Sequence, residues 1–199
     1  MLPAPCRCRL WRGGPRRFAE LRANVYNAAM GLPSAVLDTS FWSAAVHVGM
    51  DAYLPLFFER PLLAPTAVLA EIERVGQAPS PRPREEQQRF RLWVEDGRVQ
   101  ILDPTVPHIR LGAGEAAALG LARQRPSVAL LVNEAAAYLE ARRMGVIAIT
   151  VPEMVVRLVR SGMVARARGE AMLDVLEDVT SPAIIARARQ SLVEGGEGT

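Results

Sequence analysis

The chain has 199 residues, half of them apolar, with a formal charge of +3. That length fits one domain with a sizeable core and room for tails, and no charge-free run reaches the roughly 18 residues of a membrane span. All 24 basic residues are arginine, which excludes a P-loop, whose lysine sits on the phosphates, and disfavours phosphoacceptor-aspartate folds, which normally use a lysine as counter-charge.

The basic excess lies at the front. Arg7, Arg9, Arg12, Arg16, Arg17 and Arg22 stand against Glu20 alone, so the remainder is close to neutral and net charge gives no argument for nucleic-acid binding. This leader, residues 1–33, is Arg-, Pro- and Gly-rich and is expected to be disordered, with Met30 as an alternative start. Cys6 and Cys8, the only cysteines, lie in it; a lone C-x-C is neither a metal site nor a ready disulfide. A reduced, cytoplasmic setting is expected, without a signal peptide.

Ala35-Val36-Leu37 is too short an apolar run for a helix and reads as a buried strand ending at Asp38. A helix is expected over Phe41–Val48, broken by Gly49, and a second over Ala52–Phe58 with Asp51 as its cap. Pro61–Pro65 is the second strand, and Thr66 is expected to cap a helix carrying Glu71. After the Pro-rich break at residues 77–83, Arg84–Glu95 reads as a polar helix with Phe90 and Trp93 on its apolar face. Arg98–Asp103 is strand three. The loop holding His108 leads to Leu111-Gly112-Ala113-Gly114-Glu115 and a helix to Arg123. Val128–Val132 is the continuous apolar run of a central parallel strand. Asn133 is a natural cap for the helix to Met144, Val146–Ile149 is strand five, and Pro152–Arg160 is helical. Arg166–Leu176 and Pro182–Leu192 read as two closing helices joined at Thr180-Ser181-Pro182, before a Gly-rich tail.

Five strand–helix alternations predict an α/β fold, a three-layer sandwich around a five-stranded parallel sheet, plus two C-terminal helices. The expected divisions are the leader, a 34–162 domain, a 163–194 helical extension and a 195–199 tail. In such a sheet the strand C-termini share one edge, so Asp38, Glu71, Glu115 and Glu134 are expected to converge there. Clustered carboxylates need cations, and hard divalent ions take oxygen ligands. Magnesium or manganese there would activate water for attack on a phosphodiester. Taken singly, each acid also has a structural reading: Asp38 as a helix cap, Glu115 and Glu134 as acids at helix N-termini, Glu71 as a solvated side chain. Arg82, Arg84, Arg89 and Arg91 suggest an RNA path with Phe90 or Trp93 for stacking, against the plainer reading of a solvated helix face.

These residues carry a resemblance. Leu37-Asp38-Thr39-Ser40 and Pro65-Thr66-Ala67-Val68-Leu69-Ala70-Glu71-Ile72 resemble the first two motifs of the PIN-domain nucleases. Leu111–Leu119 is similar to their third motif, and Leu130-Leu131-Val132-Asn133-Glu134 stands where that family has a strand ending in two aspartates. Thr150, Gly162-Met163-Val164 and Ser181-Pro182 resemble the rest of the pattern, so the likeness spans about residues 35–195. The resemblance implies a metal-dependent ribonuclease similar to the VapC toxins, with magnesium or manganese as cofactor. It places Asp38, Glu71 and Glu115 as the catalytic acids. Asp38, Glu115, Glu134 and Asn133 would stand at the metal, with Thr39, Ser40 and Thr150 in support. The partners implied are RNA, an antitoxin protein that occludes the acidic pocket, and a second copy of the chain. The departure is at Asn133 and Glu134, where the paired aspartates should stand. It opens an alternative: a PIN scaffold with a degraded site that binds RNA or a protein without cleaving.

Overall fold

The computed structural model describes residues 33–106 and 111–194. The leader through residue 32 with Cys6, Cys8 and Met30, the loop residue His108, and the tail after residue 194 lie outside the described residues.

Five apolar runs form one sheet: β1 (Ser34–Leu37), β2 (Leu62–Ala64), β3 (Val99–Ile101), β4 (Val128–Leu131) and β5 (Ala148–Ile149). Every pairing is parallel, in the order β3-β2-β1-β4-β5, with Val36 registered on Leu63 at one side and on Leu130 at the other. All positions of β1, β2 and β4 are buried, as in strands of a parallel sheet covered on both faces. The chain moves from β1 outward to β2 and β3, then crosses back to β4 beside β1. The carboxyl ends of β1 and β4 therefore flank the topological switch point, where open α/β sheets hold their ligands.

The connecting helices are α1 (Thr39–His47), a 3-10 turn (Asp51–Tyr53) running into α2 (Leu54–Phe57), α3 (Thr66–Val75), α4 (Pro81–Glu95), α5 (Ala113–Arg123), α6 (Ala135–Arg143) and α7 (Val151–Arg160). Two more, α8 (Arg166–Leu176) and α9 (Pro182–Glu194), complete the described chain. Helices flank the sheet as an α/β sandwich requires: α5 packs on β1 and β4, while α7 packs with α8 and α9 and meets α1. Leu173, Leu176, Ile185 and Leu192 belong to the same hydrophobic core as Val36 and Leu130, so the last two helices are welded to the sheet domain by burial. Among the described residues no helix is long and apolar enough to cross a membrane.

Several caps differ from the sequence expectation, each because a distant group claims the side chain. Asp51 does not cap its turn; it is buried, and Arg89 of α4 donates to it at 2.9 Å. Pro65, not Thr66, stands at the cap of α3, and the Thr66 backbone N–H and hydroxyl both donate to the Asp103 carboxylate, at 2.8 and 2.7 Å. The Pro-rich break yields to α4 from Pro81, since proline at the first helical turn has no N–H to lose. Glu134 rather than Asn133 stands at the cap position of α6, without a side-chain cap bond.

The suggested stacking role of Phe90 or Trp93 on α4 is also corrected. Phe90 is fully buried and Trp93 nearly so, both edge-on to Trp42 at 5.2 and 5.3 Å between ring centres. These rings form core, each contributing about 1.5–3 kcal/mol by burial, and offer no face to a base.

Candidate active site

Asp38 follows β1 directly. Its N–H donates to the Leu131 carbonyl at 3.0 Å, so the residue still belongs to the β1–β4 seam. Its backbone is extended, and its carboxylate caps α1, accepting from the Ser40 N–H at 3.0 Å and the Ser40 hydroxyl at 2.5 Å. Both bonds fall on Oδ2. Oδ1 is buried and has no hydrogen-bond partner, and the residue is 1% exposed. Burial pushes the Asp38 carboxyl up to about 6; the two Ser40 bonds oppose that rise, while the negative charges of Glu115 and Glu71 add to it.

Asn133 lies just past β4, one strand over. Its N–H donates to the Ser40 hydroxyl oxygen at 3.0 Å, so one hydroxyl joins the ends of β1 and β4. The side chain is buried. Nδ2 donates to the Val179 carbonyl at 3.2 Å and to the Thr180 hydroxyl oxygen at 2.8 Å, both on the turn between α8 and α9. Oδ1, like that of Asp38, is buried without a partner.

Glu71 is held at both oxygens. The Thr39 hydroxyl donates to Oε2 at 2.7 Å, and the Gly114 N–H donates to Oε1 at 2.9 Å. Gly114 must be glycine for this approach: a Cβ there would sit 2.7 Å from the Glu71 carboxyl carbon. Glu71 thereby ties the middle of α3 to the first turn of α5 and fixes the backbone one residue before Glu115. Glu115 turns back to accept from the Gly112 N–H at 3.3 Å. Its carboxyl is raised, first by burial, against the Gly112 bond, with Glu134 and Glu71 adding negative charge.

Of the remaining expected residues, Glu134 reaches this group through its charge on Glu115, and Thr150 is engaged at the end of β5. Glu134 is exposed and makes no cap bond with its side chain. Thr150 is fully buried and caps α7: it accepts from the Glu153 N–H at 3.3 Å, while the Glu153 carboxylate accepts from the Thr150 N–H at 2.9 Å. This capping box occupies Thr150 at the end of β5.

The donors suit a hard divalent cation in one particular way. Asp38 and Asn133 share one Ser40 hydroxyl, through the Asp38 Oδ2 and the Asn133 backbone N–H, and each keeps a buried side-chain oxygen without a partner, while Glu115 is close enough to act on Asp38 through its charge. Among the described residues no three acidic, histidine or cysteine side chains cluster tightly enough to enclose an ion. Few direct protein ligands is the habit of magnesium, which keeps several waters and binds through one or two carboxylates plus substrate phosphate.

Sequence reasoning missed Val179, Thr180 and the bond from Gly114 to Glu71. The Thr180-Ser181-Pro182 stretch signalled only a helix junction, and Gly114 stood inside a quoted motif without a partner. A family model described as a PIN domain matches residues 34–192, from β1 into α9. No curated protein matches the chain.

Proposed function

The chain belongs to the PIN-domain family, and from that premise we propose that it is a divalent-metal-dependent ribonuclease, the toxin of a toxin–antitoxin pair. The observation that carries the reading is Asp38: a carboxylate 1% exposed at the switch point, one oxygen unpartnered, with only same-sign charges to perturb it. A group so placed calls for a cation.

Bound magnesium or manganese supplies water activation and charge stabilisation at phosphorus. In this reading Asp38 and Asn133, whose Oδ1 atoms lack partners, would hold the ion. Glu115 would take a proton from the attacking water as the water oxygen bonds to phosphorus and the bond to the sugar oxygen breaks, that oxygen leaving with the bonding pair and taking a proton from solvent. The raised pKa of Glu115 brings it closer to the range a general base needs. Glu71, clamped by Thr39 and Gly114, keeps Glu115 in place. The partners proposed are RNA, an antitoxin covering the acidic edge, and a second copy of the chain, in the cytoplasm.

Calorimetric titration of manganese into wild type and Asp38→Asn, followed by incubation with a mixed RNA pool, tests this. Saturable binding and metal-dependent cleavage, both lost in the variant, are expected. Wild type that neither binds nor cleaves at millimolar manganese would sink the proposal and favour a second reading, a scaffold that binds RNA or a protein without cutting. Neutral Asn133, exposed Glu134 and the fully engaged Glu71 favour that alternative.

A further inference from the structure

An asparagine amide has two ends of nearly equal shape, and its neighbours decide which end points where. At Asn133 the neighbours are unambiguous. The Val179 carbonyl can only accept, so the end facing it at 3.2 Å has to be the NH2 group. The second amide hydrogen goes to the Thr180 oxygen at 2.8 Å. Both hydrogens are thus used on one short turn, and the carbonyl oxygen is left on the other side, buried and unpartnered. The backbone of Asn133 is fixed independently by Ser40, whose hydroxyl proton goes to Asp38.

We infer that Thr180, with the Val179 carbonyl, positions the Asn133 amide so that its oxygen serves as a neutral ligand to the divalent cation that Asp38 binds. This rests on the metal-nuclease reading above and adds to it a residue from the α8–α9 pair. The turn is matched to an amide. A carboxylate at position 133 would set an oxygen against the Val179 carbonyl with no hydrogen between them, a repulsive contact in a buried place. Asn133 is therefore the residue this turn selects, rather than an aspartate lost by decay, and the site is incomplete without the last two helices.

The test is manganese calorimetry on wild type, Thr180→Val, Thr180→Ser and Asn133→Ala, with circular dichroism to confirm folding. Thr180→Val is expected to weaken manganese binding about tenfold, the usual effect of removing a group that orients a ligand. Thr180→Ser, which keeps the hydroxyl, should bind like wild type, and Asn133→Ala should bind at least as poorly as Thr180→Val. As a metal-free check, Asn133→Asp in EDTA at pH 8 should melt roughly 5 °C below wild type. Thr180→Val or Asn133→Ala that is folded and binds manganese as wild type does would overturn the inference, as would an Asn133→Asp variant with unchanged melting. Wild type that binds no manganese overturns it together with the nuclease reading. Manganese binding that weakens in Thr180→Val, in a protein that cleaves no RNA, supports the inference and sinks only the nuclease reading.

Discussion

Two buried aspartates stand in contrasting company. Asp38 is 1% exposed and Asp51 4%, and each has one carboxylate oxygen without a hydrogen-bond partner. Asp51 faces Arg89 at 2.9 Å, and Arg89 also holds Glu85 at 2.7 Å, so its charge is neutralised within the fold. Asp38 has hydroxyl and amide donors but no cation among its perturbing neighbours, and the charges that act on it are those of Glu115 and Glu71. Burial alone therefore does not mark a functional carboxylate. What separates the two is whether the protein supplies the counter-charge itself.

Four substitutions bear on that contrast, in falling order of effect. Asp38→Asn should lower metal-dependent RNA cleavage by roughly 100-fold or more while raising the stability of the metal-free protein. The folded-state pKa near 6 exceeds the ordinary 3.8, so between those values the native state holds a proton the unfolded chain has lost. Stability accordingly falls as pH rises from 3.8 towards 6 and stays low above, a loss of about 3 kcal/mol. Denaturant melts in EDTA at pH 4 and pH 8 should show this slope in wild type and a flatter one in the variant. An identical slope would mean that Asp38 does not carry the buried charge.

Arg89→Met leaves Asp51 buried and unpaired. About 2–3 kcal/mol of stability should be lost, somewhat less than for a fully buried pair because Arg89 is partly exposed, with manganese affinity unchanged. If manganese binding fell as well, the two aspartates would not be independent. Gly114→Ala displaces the Glu71 carboxylate and breaks its two bonds, which should cost about 1–2 kcal/mol and slow cleavage by loosening Glu115; thermal melts and initial rates read the two effects. Arg91→Gln, at the exposed pair with Glu73, should shift stability by less than about 0.5 kcal/mol and leave cleavage as it was.

The frame of the fold was legible because buried parallel strands leave short apolar runs that only turns and carboxylates interrupt. The position of Asp38 at the sheet edge followed from the end of such a run. Side-chain allegiance was not legible. Thr66, Asp51 and Asn133 all read locally as caps, yet Asp103, Arg89 and Thr180 claim them from 37, 38 and 47 residues away. Capping preference is a local quantity; a charged or doubly bonded partner across the fold outweighs it. Phe90 and Trp93 were legible as an apolar face, but only the packing against Trp42 decides that the face is interior.

The sheet also limits how two copies of this chain can meet. Its outer strands, β3 and β5, are three and two residues long, too short to template the addition of a neighbouring strand. That brevity guards the margins against fibrous stacking, and the second copy proposed above would have to meet the chain through its helical surfaces. Leu139 on α6 and Val193 on α9, 66% and 58% exposed, are apolar side chains placed on such surfaces.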